Sequence, residues 1–159
     1  SVGGDEIEGI DGKSFLKALF GKEKEHRRFA YGIHNNIPEG TAYPIRSIRD
    51  KRYKLILNLT PEVEYFEKHL MNLKNERSVW ASWIESTKTD KRARYFVDRY
   101  VKRPAIEFYD MQKDPWELNN LAEEKKYAKR IAMMKGELEA WMRQQGDTGA
   151  QMDVKIKKQ

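Results

Sequence analysis

The stretch YPIRSIRDKRYKLILNL, residues 43–59, decides the fold. It reads as two strands joined at Arg49, Asp50 and Lys51. In the second strand Tyr53, Leu55, Leu57 and Leu59 alternate with Lys54, Ile56 and Asn58, the period-two pattern of a half-buried antiparallel strand. Asp50 and Lys51 suit a tight turn, although neither is the glycine that two-residue hairpins favour. In the first strand Tyr43 and Ile45 lie opposite Arg46 and Ile48. Arginines are costly to hide, so part of this sheet is expected to face water or an anion. The rest of the chain is expected to pack on this hairpin.

Upstream, Ser14 is placed to cap a short helix over 15–20, which stops before Gly21, and a strand is predicted over 29–33. Residues 34–42, HNNIPEGTA, form a loop that enters the hairpin and presents polar side chains at a sheet end. Downstream, three helices are expected within an insertion over 62–101. The first follows Pro61 and carries Val63, Phe66, Leu70 and Leu73; the others cover 79–85 and 91–101. A strand over 106–109 comes next, then a turn forced at Asp114 and Pro115, with Leu118 and Leu121 as apolar plugs. A long helix is predicted over 123–144, because Tyr127, Ile131, Met134, Leu138 and Trp141 make one apolar stripe. Gly146 ends it, and 147–159 reads as a lightly pinned polar tail. About four strands with helices between and after them make an α+β protein.

The 159 residues suit one domain, and 4 Trp, 8 Tyr and 6 Phe supply aromatic mass for its core. The charge of +6 is spread among 31 basic and 25 acidic residues, which permits an anionic partner without requiring one. The absence of cysteine excludes disulfides, thiol nucleophiles and thiolate metal sites. No apolar run approaches the roughly 20 residues of a membrane span. Residues 1–12 are glycine-rich and acidic, unlike a signal peptide, and read as a lead-in from the interior of a longer protein.

Three segments carry a resemblance: DGKSFLKALFGK (11–22), the hairpin, and EFYDMQKDPWELNNLA (107–122). In that order they resemble the C-terminal part of the sulfatase family, where a DG(K/R)S segment precedes a basic hairpin, a YDxxxDPxExxNLA segment and a terminal helix. The hairpin and the insertion look most like the heparan N-sulfatase (sulfamidase) branch. The resemblance covers residues 9–145 and implies a four-stranded antiparallel sheet with the terminal helix across one face, in a subdomain over 13–146. It also implies a formylglycine made from a C/S-x-P-S-R motif and a calcium ion, both in a large N-terminal domain. This chain has no such motif around its prolines at 38, 44, 61, 104 and 115. The expectation is therefore a fragment with no catalytic residue and no cofactor of its own. Its expected partners are its own catalytic domain and a sulfated sugar, with self-association through the exposed docking face. A periplasmic, secreted or lysosomal location comes from the resemblance alone.

Candidate substrate contacts are His34, Asn35, Asn36, Glu39 and Arg46. The His–Asn–Asn cluster offers neutral donors and acceptors suited to sugar hydroxyls and a sulfate, although such loops also satisfy their own backbone. Arg46 could fork a sulfate or carboxylate, or form an ion pair with an acid of the large domain. His26 and His69 read as surface residues. Arg49, Lys51, Arg52 and Lys54 with Tyr53 make a short basic strip, but no nucleic-acid-binding signature accompanies it. Trp80 and Trp83 could be a sugar platform or a core ridge. Asp5, Glu6, Glu8 and Asp11 lack the spacing of a calcium loop. Two rival readings are a non-catalytic module for anionic glycans and a purely structural cap.

Overall fold

The structure is a computed structural model, and it describes residues 12, 14–36, 39–74 and 78–152, with side chains to 150. In chain order it contains α1 (Leu16–Leu19), β1 (Ala30–His34), β2 (Ile45–Arg49), β3 (Tyr53–Asn58), α2 (Val79–Ser86), α3 (Lys91–Val101), β4 (Ile106–Asp110) and α4 (Ala128–Gln144). One 3-10 turn, Lys125–Tyr127, leads into α4 and another, Gly149–Met152, follows it.

The hairpin forms as its alternation requires. Asp50 replaces the missing turn glycine: its Oδ1 accepts from the backbone N–H groups of Arg52 and Tyr53, both at 2.7 Å. The four strands make an antiparallel meander in the order β1-β2-β3-β4. Ile48, Leu55 and Phe108 are cross-strand partners, so three apolar side chains line up on one face. Against them α4 lays Ile131, Met134 and Leu138, and this layer is the main core. At its edge Tyr31 stacks on Trp141, with ring centroids 4.6 Å apart.

The opposite face carries Lys54, Ile56, Asn58, Glu107 and Tyr109. It supports a second core of Tyr43, Tyr65, Met71, Trp80 and Val97, contributed largely by the insertion. Ser78 caps α2 by accepting from the Ala81 N–H at 3.1 Å, and Asp90 caps α3 by accepting from that of Arg92 at 2.7 Å. Buried Glu107 accepts from Asn58 Nδ2 at 2.9 Å and from the Tyr109 hydroxyl.

Three expectations change. The helix after Pro61 does not form: the Tyr65 N–H donates to the Val101 carbonyl at 2.8 Å, and the Glu67 carboxylate takes the N–H groups of His69 and Leu70. These bonds tie the segment to its neighbours as turns, leaving Phe66 and Leu73 exposed. Leu118 is 37% exposed and is no plug, whereas Leu121 packs on the main core. The tail is not lightly pinned at its start, because Asp147 is buried.

Candidate functional site

β1 ends at His34, and the loop that follows returns to β2 at the same end of the sheet. Its geometry is set by Asn36, whose φ of 60° lies in the left-handed region that asparagine tolerates better than most residues. Buried Asn36 donates from Nδ2 to the carbonyls of Thr41 (2.9 Å) and Phe66 (2.6 Å). The Gly40 N–H donates to the Asn36 carbonyl, and the Lys68 N–H to that of Glu39, both at 2.9 Å. Gly40 also bridges to Glu67. The loop is thus stitched to the turns that replace the expected helix.

The five candidates separate by where they point. His34 and Glu39 are exposed, and the His34 ring lies 6.2 Å from that of Tyr65. Asn35 is half-buried. Asn36 faces inward and shapes the loop. Arg46 also faces inward, at 1% exposure. Its Nε donates to Asp147 Oδ2 at 2.5 Å and its Nη2 to Asp147 Oδ1 at 3.2 Å. Its Nη1 donates to Asn35 Oδ1 at 2.7 Å and to the Ile45 carbonyl at 3.0 Å. The fork expected to face water or an anion is therefore closed over a carboxylate of this same chain, which offsets part of the cost of hiding it. The Arg46 hydrogen bond, partly offset by burial, holds the Asp147 carboxyl below the usual aspartate range.

Asp147 is the residue the sequence reading missed. Its only sequence signal is a lone acid directly after the glycine that ends α4, which Arg46 could have claimed as its counter-charge. With Asn35 Oδ1 engaged by Arg46, Nδ2 is the donor that remains on this side chain. The rim of this sheet end is thus the segment from the end of β1 into the loop, which carries the exposed His34 and Glu39 and the half-buried Asn35.

The basic strip is largely neutralised from within. Lys51 pairs with Glu25, Arg52 with Asp110, and Lys54 with Glu117. Trp80 is core at 3% exposure, while Trp83 is 45% exposed. Among the described residues no group of three or more His, Asp or Glu side chains converges to hold a metal. Asp5, Glu6, Glu8 and Asp11 lie outside the described residues. No described helix is long and apolar enough to cross a membrane.

No protein-family model matches the chain. It is 34% identical over 152 residues to an ulvan-active sulfatase of Formosa agariphila, covering 92% of this chain and 27% of that protein. It is 25% identical over 141 residues to the N-sulphoglucosamine sulphohydrolase of Homo sapiens, covering 83% of this chain and 26% of the relative. In fold it is similar, at a TM-score of 0.55 and 21% identity, to a solved structure in complex with its substrate D-glucosamine-2-N,6-O-disulfate. That match covers 95% of this chain and 23% of the other. The chain thus spans about a quarter of the length of the sulfatases it resembles in sequence. The sheet and helices expected of a sulfatase C-terminal subdomain are present.

Proposed function

We propose that this chain is the C-terminal subdomain of a sulfatase acting on a sulfated glycan, and that its rim at His34, Asn35 and Glu39 completes the substrate pocket. The observation that supports this reading is the Arg46–Asn35 bond, which fixes the Asn35 side chain in the same segment that leaves His34 and Glu39 exposed. His34 and the Asn35 amide donate to sulfate or hydroxyl oxygens, and Glu39 accepts from hydroxyls. Arg46 acts as a positioning residue through Asn35. The formylglycine and calcium of the reaction centre would belong to the large N-terminal domain, and this chain supplies binding and orientation only. A periplasmic, secreted or lysosomal setting follows from the same reading.

The finer choice of substrate is an N-sulfated, heparan-like sugar, supported by the likeness to the human sulphohydrolase. The higher identity to the ulvan-active sulfatase favours a second reading, with an ulvan-type polysaccharide as substrate. Steady-state kinetics of the sulfatase carrying this subdomain, assayed on both substrates, test the proposal. His34→Ala and Glu39→Ala should raise KM by about tenfold on the true substrate with kcat nearly unchanged, as expected for groups that bind ground and transition state alike. Unchanged constants in both variants would leave the chain a structural cap.

A further inference from the structure

A cavity of about 730 Å³ lies between the outer face of the sheet and helices α2 and α3. Its size is that of a small-molecule site, typically about 300–1,000 Å³. Ile56 and Glu107 come from the sheet, Trp83 and Tyr100 from the helices, and Trp116, 80% exposed, from the turn after β4. That turn is fixed: Glu117 has a φ of 54°, and its carboxylate accepts from Lys54 Nζ at 2.8 and 3.0 Å.

The cations of this cleft are not equivalent. Lys54 is paired with Glu117. Arg99 donates to the carbonyls of Glu117 and Leu118 and, at 2.7 Å, to the Tyr109 hydroxyl. Arg103 is held differently. Its guanidinium lies 4.5 Å from the ring centroid of Tyr65, 5.4 Å from that of Tyr100 and 6.0 Å from that of Tyr43. Among the described residues its hydrogen bond is a long one, from Nε to the Tyr100 carbonyl at 3.4 Å. Among the described residues no carboxylate lies within ion-pair distance of it. Ring faces hold a guanidinium in place without cancelling its charge, so its Nη edge stays suited to a planar or tetrahedral oxyanion.

We infer that this cleft binds a short anionic saccharide, with a carboxylate or sulfate on Arg103 and a sugar ring against Trp116. Indole faces match the C–H faces of a pyranose. Asp90, Glu107 and Glu117 also line the cleft, and their charge disfavours a long polyanion while leaving acceptors for sugar hydroxyls. The inference stands on the cleft alone and does not use the rim at His34.

The test is titration of the chain with a sulfated, uronic-acid-containing disaccharide, followed by tryptophan emission and calorimetry, with its desulfated, carboxyl-reduced counterpart and inorganic sulfate as controls. Saturable binding of the anionic disaccharide is expected, tighter than that of either control. Arg103→Gln should weaken it by about tenfold or more, the loss expected when hydrogen bonds to a charged group are removed. Trp116→Ala, at a position too exposed to carry the fold, should weaken it several-fold, and circular dichroism confirms that both variants fold. No saturable binding, equal binding of inorganic sulfate, or wild-type affinity in either variant would overturn the inference. Affinity lost in His34→Ala and kept in Arg103→Gln would assign the sugar to the rim, overturning the cleft while leaving the proposed function standing.

Discussion

Arg46 and Asp147, 101 positions apart, form a buried two-point ion pair that joins the end of α4 to β2 and, through Asn35, to the rim loop. Neither charge reaches water, so each depends on the other. Gly149 adds to the arrangement by donating its N–H to Asp147 Oδ1 at 2.8 Å.

Removing one partner should therefore cost more than removing both. Asp147→Ala leaves an uncompensated buried guanidinium and should destabilise the fold by about 3–5 kcal/mol, whereas Arg46→Met with Asp147→Leu should recover much of the loss. The pH dependence has a definite sign. Because the folded carboxyl titrates below the usual aspartate range, its contribution is complete above that range and is lost as pH falls through the lower folded value. Urea midpoints measured down an acid series should fall less steeply in Asp147→Asn than in wild type. Parallel curves would remove the ion pair from the account of acid sensitivity.

Gly40 should not tolerate a side chain. A Cβ there would stand 1.8 Å from the Phe66 carbonyl oxygen and 2.5 Å from Asn36 Nδ2, so the bridge between loop and turns has to open. Gly40→Ala is expected to cost about 1–3 kcal/mol, the range for forced overpacking. Amide exchange should locate the damage: the Lys68 N–H, which donates to Glu39, should lose protection while the Leu55 amide in β3 keeps it. Equal loss at both amides would mean that the loop is part of the global unfolding unit.

The hairpin, α3 and the stripe on α4 were legible because each rests on a periodicity that neighbouring residues impose. The segment after Pro61 has helical spacing at Val63, Phe66 and Leu70, yet its backbone is bonded to Val101 and Glu39, partners more than thirty or nearly thirty positions away that no local pattern reveals. Arg46 shows the same limit at the candidate site. Its residue type and strand position were readable, but the direction of its fork depended on an aspartate at the far end of the chain. The cleft was foreshadowed by Trp80 and Trp83, which the fold assigns to opposite fates, one in the core and one on its edge.

The α4 face should carry the stability of the sheet. Met134 is fully buried against it, and Met134→Ala should cost about 2–5 kcal/mol through lost transfer energy and the cavity left behind. Leu19→Ala, at an exposed position on α1, should stay within about 0.5 kcal/mol of wild type. Denaturant midpoints compared in one buffer decide this, and a similar loss in both variants would contradict the assignment of the core.

Tyr109 predicts the behaviour at high pH. Burial first, and then its hydrogen bond to Glu107, push this phenol well above its ordinary value of 10.0. Burial also raises Tyr31, Tyr43 and Tyr65. The unfolded chain ionises these phenols near their ordinary value while the folded chain resists. Their stabilising effect is therefore complete below that value and declines as pH rises through and beyond it. An ultraviolet titration should show Tyr109 ionising only as the fold is lost. In Tyr109→Phe the alkaline fall in denaturation midpoint should be shallower than in wild type, with a residual slope from the other three. A titration in which every phenol ionises together near its ordinary value, with the fold intact, would show that the Glu107–Tyr109 contact is open to water.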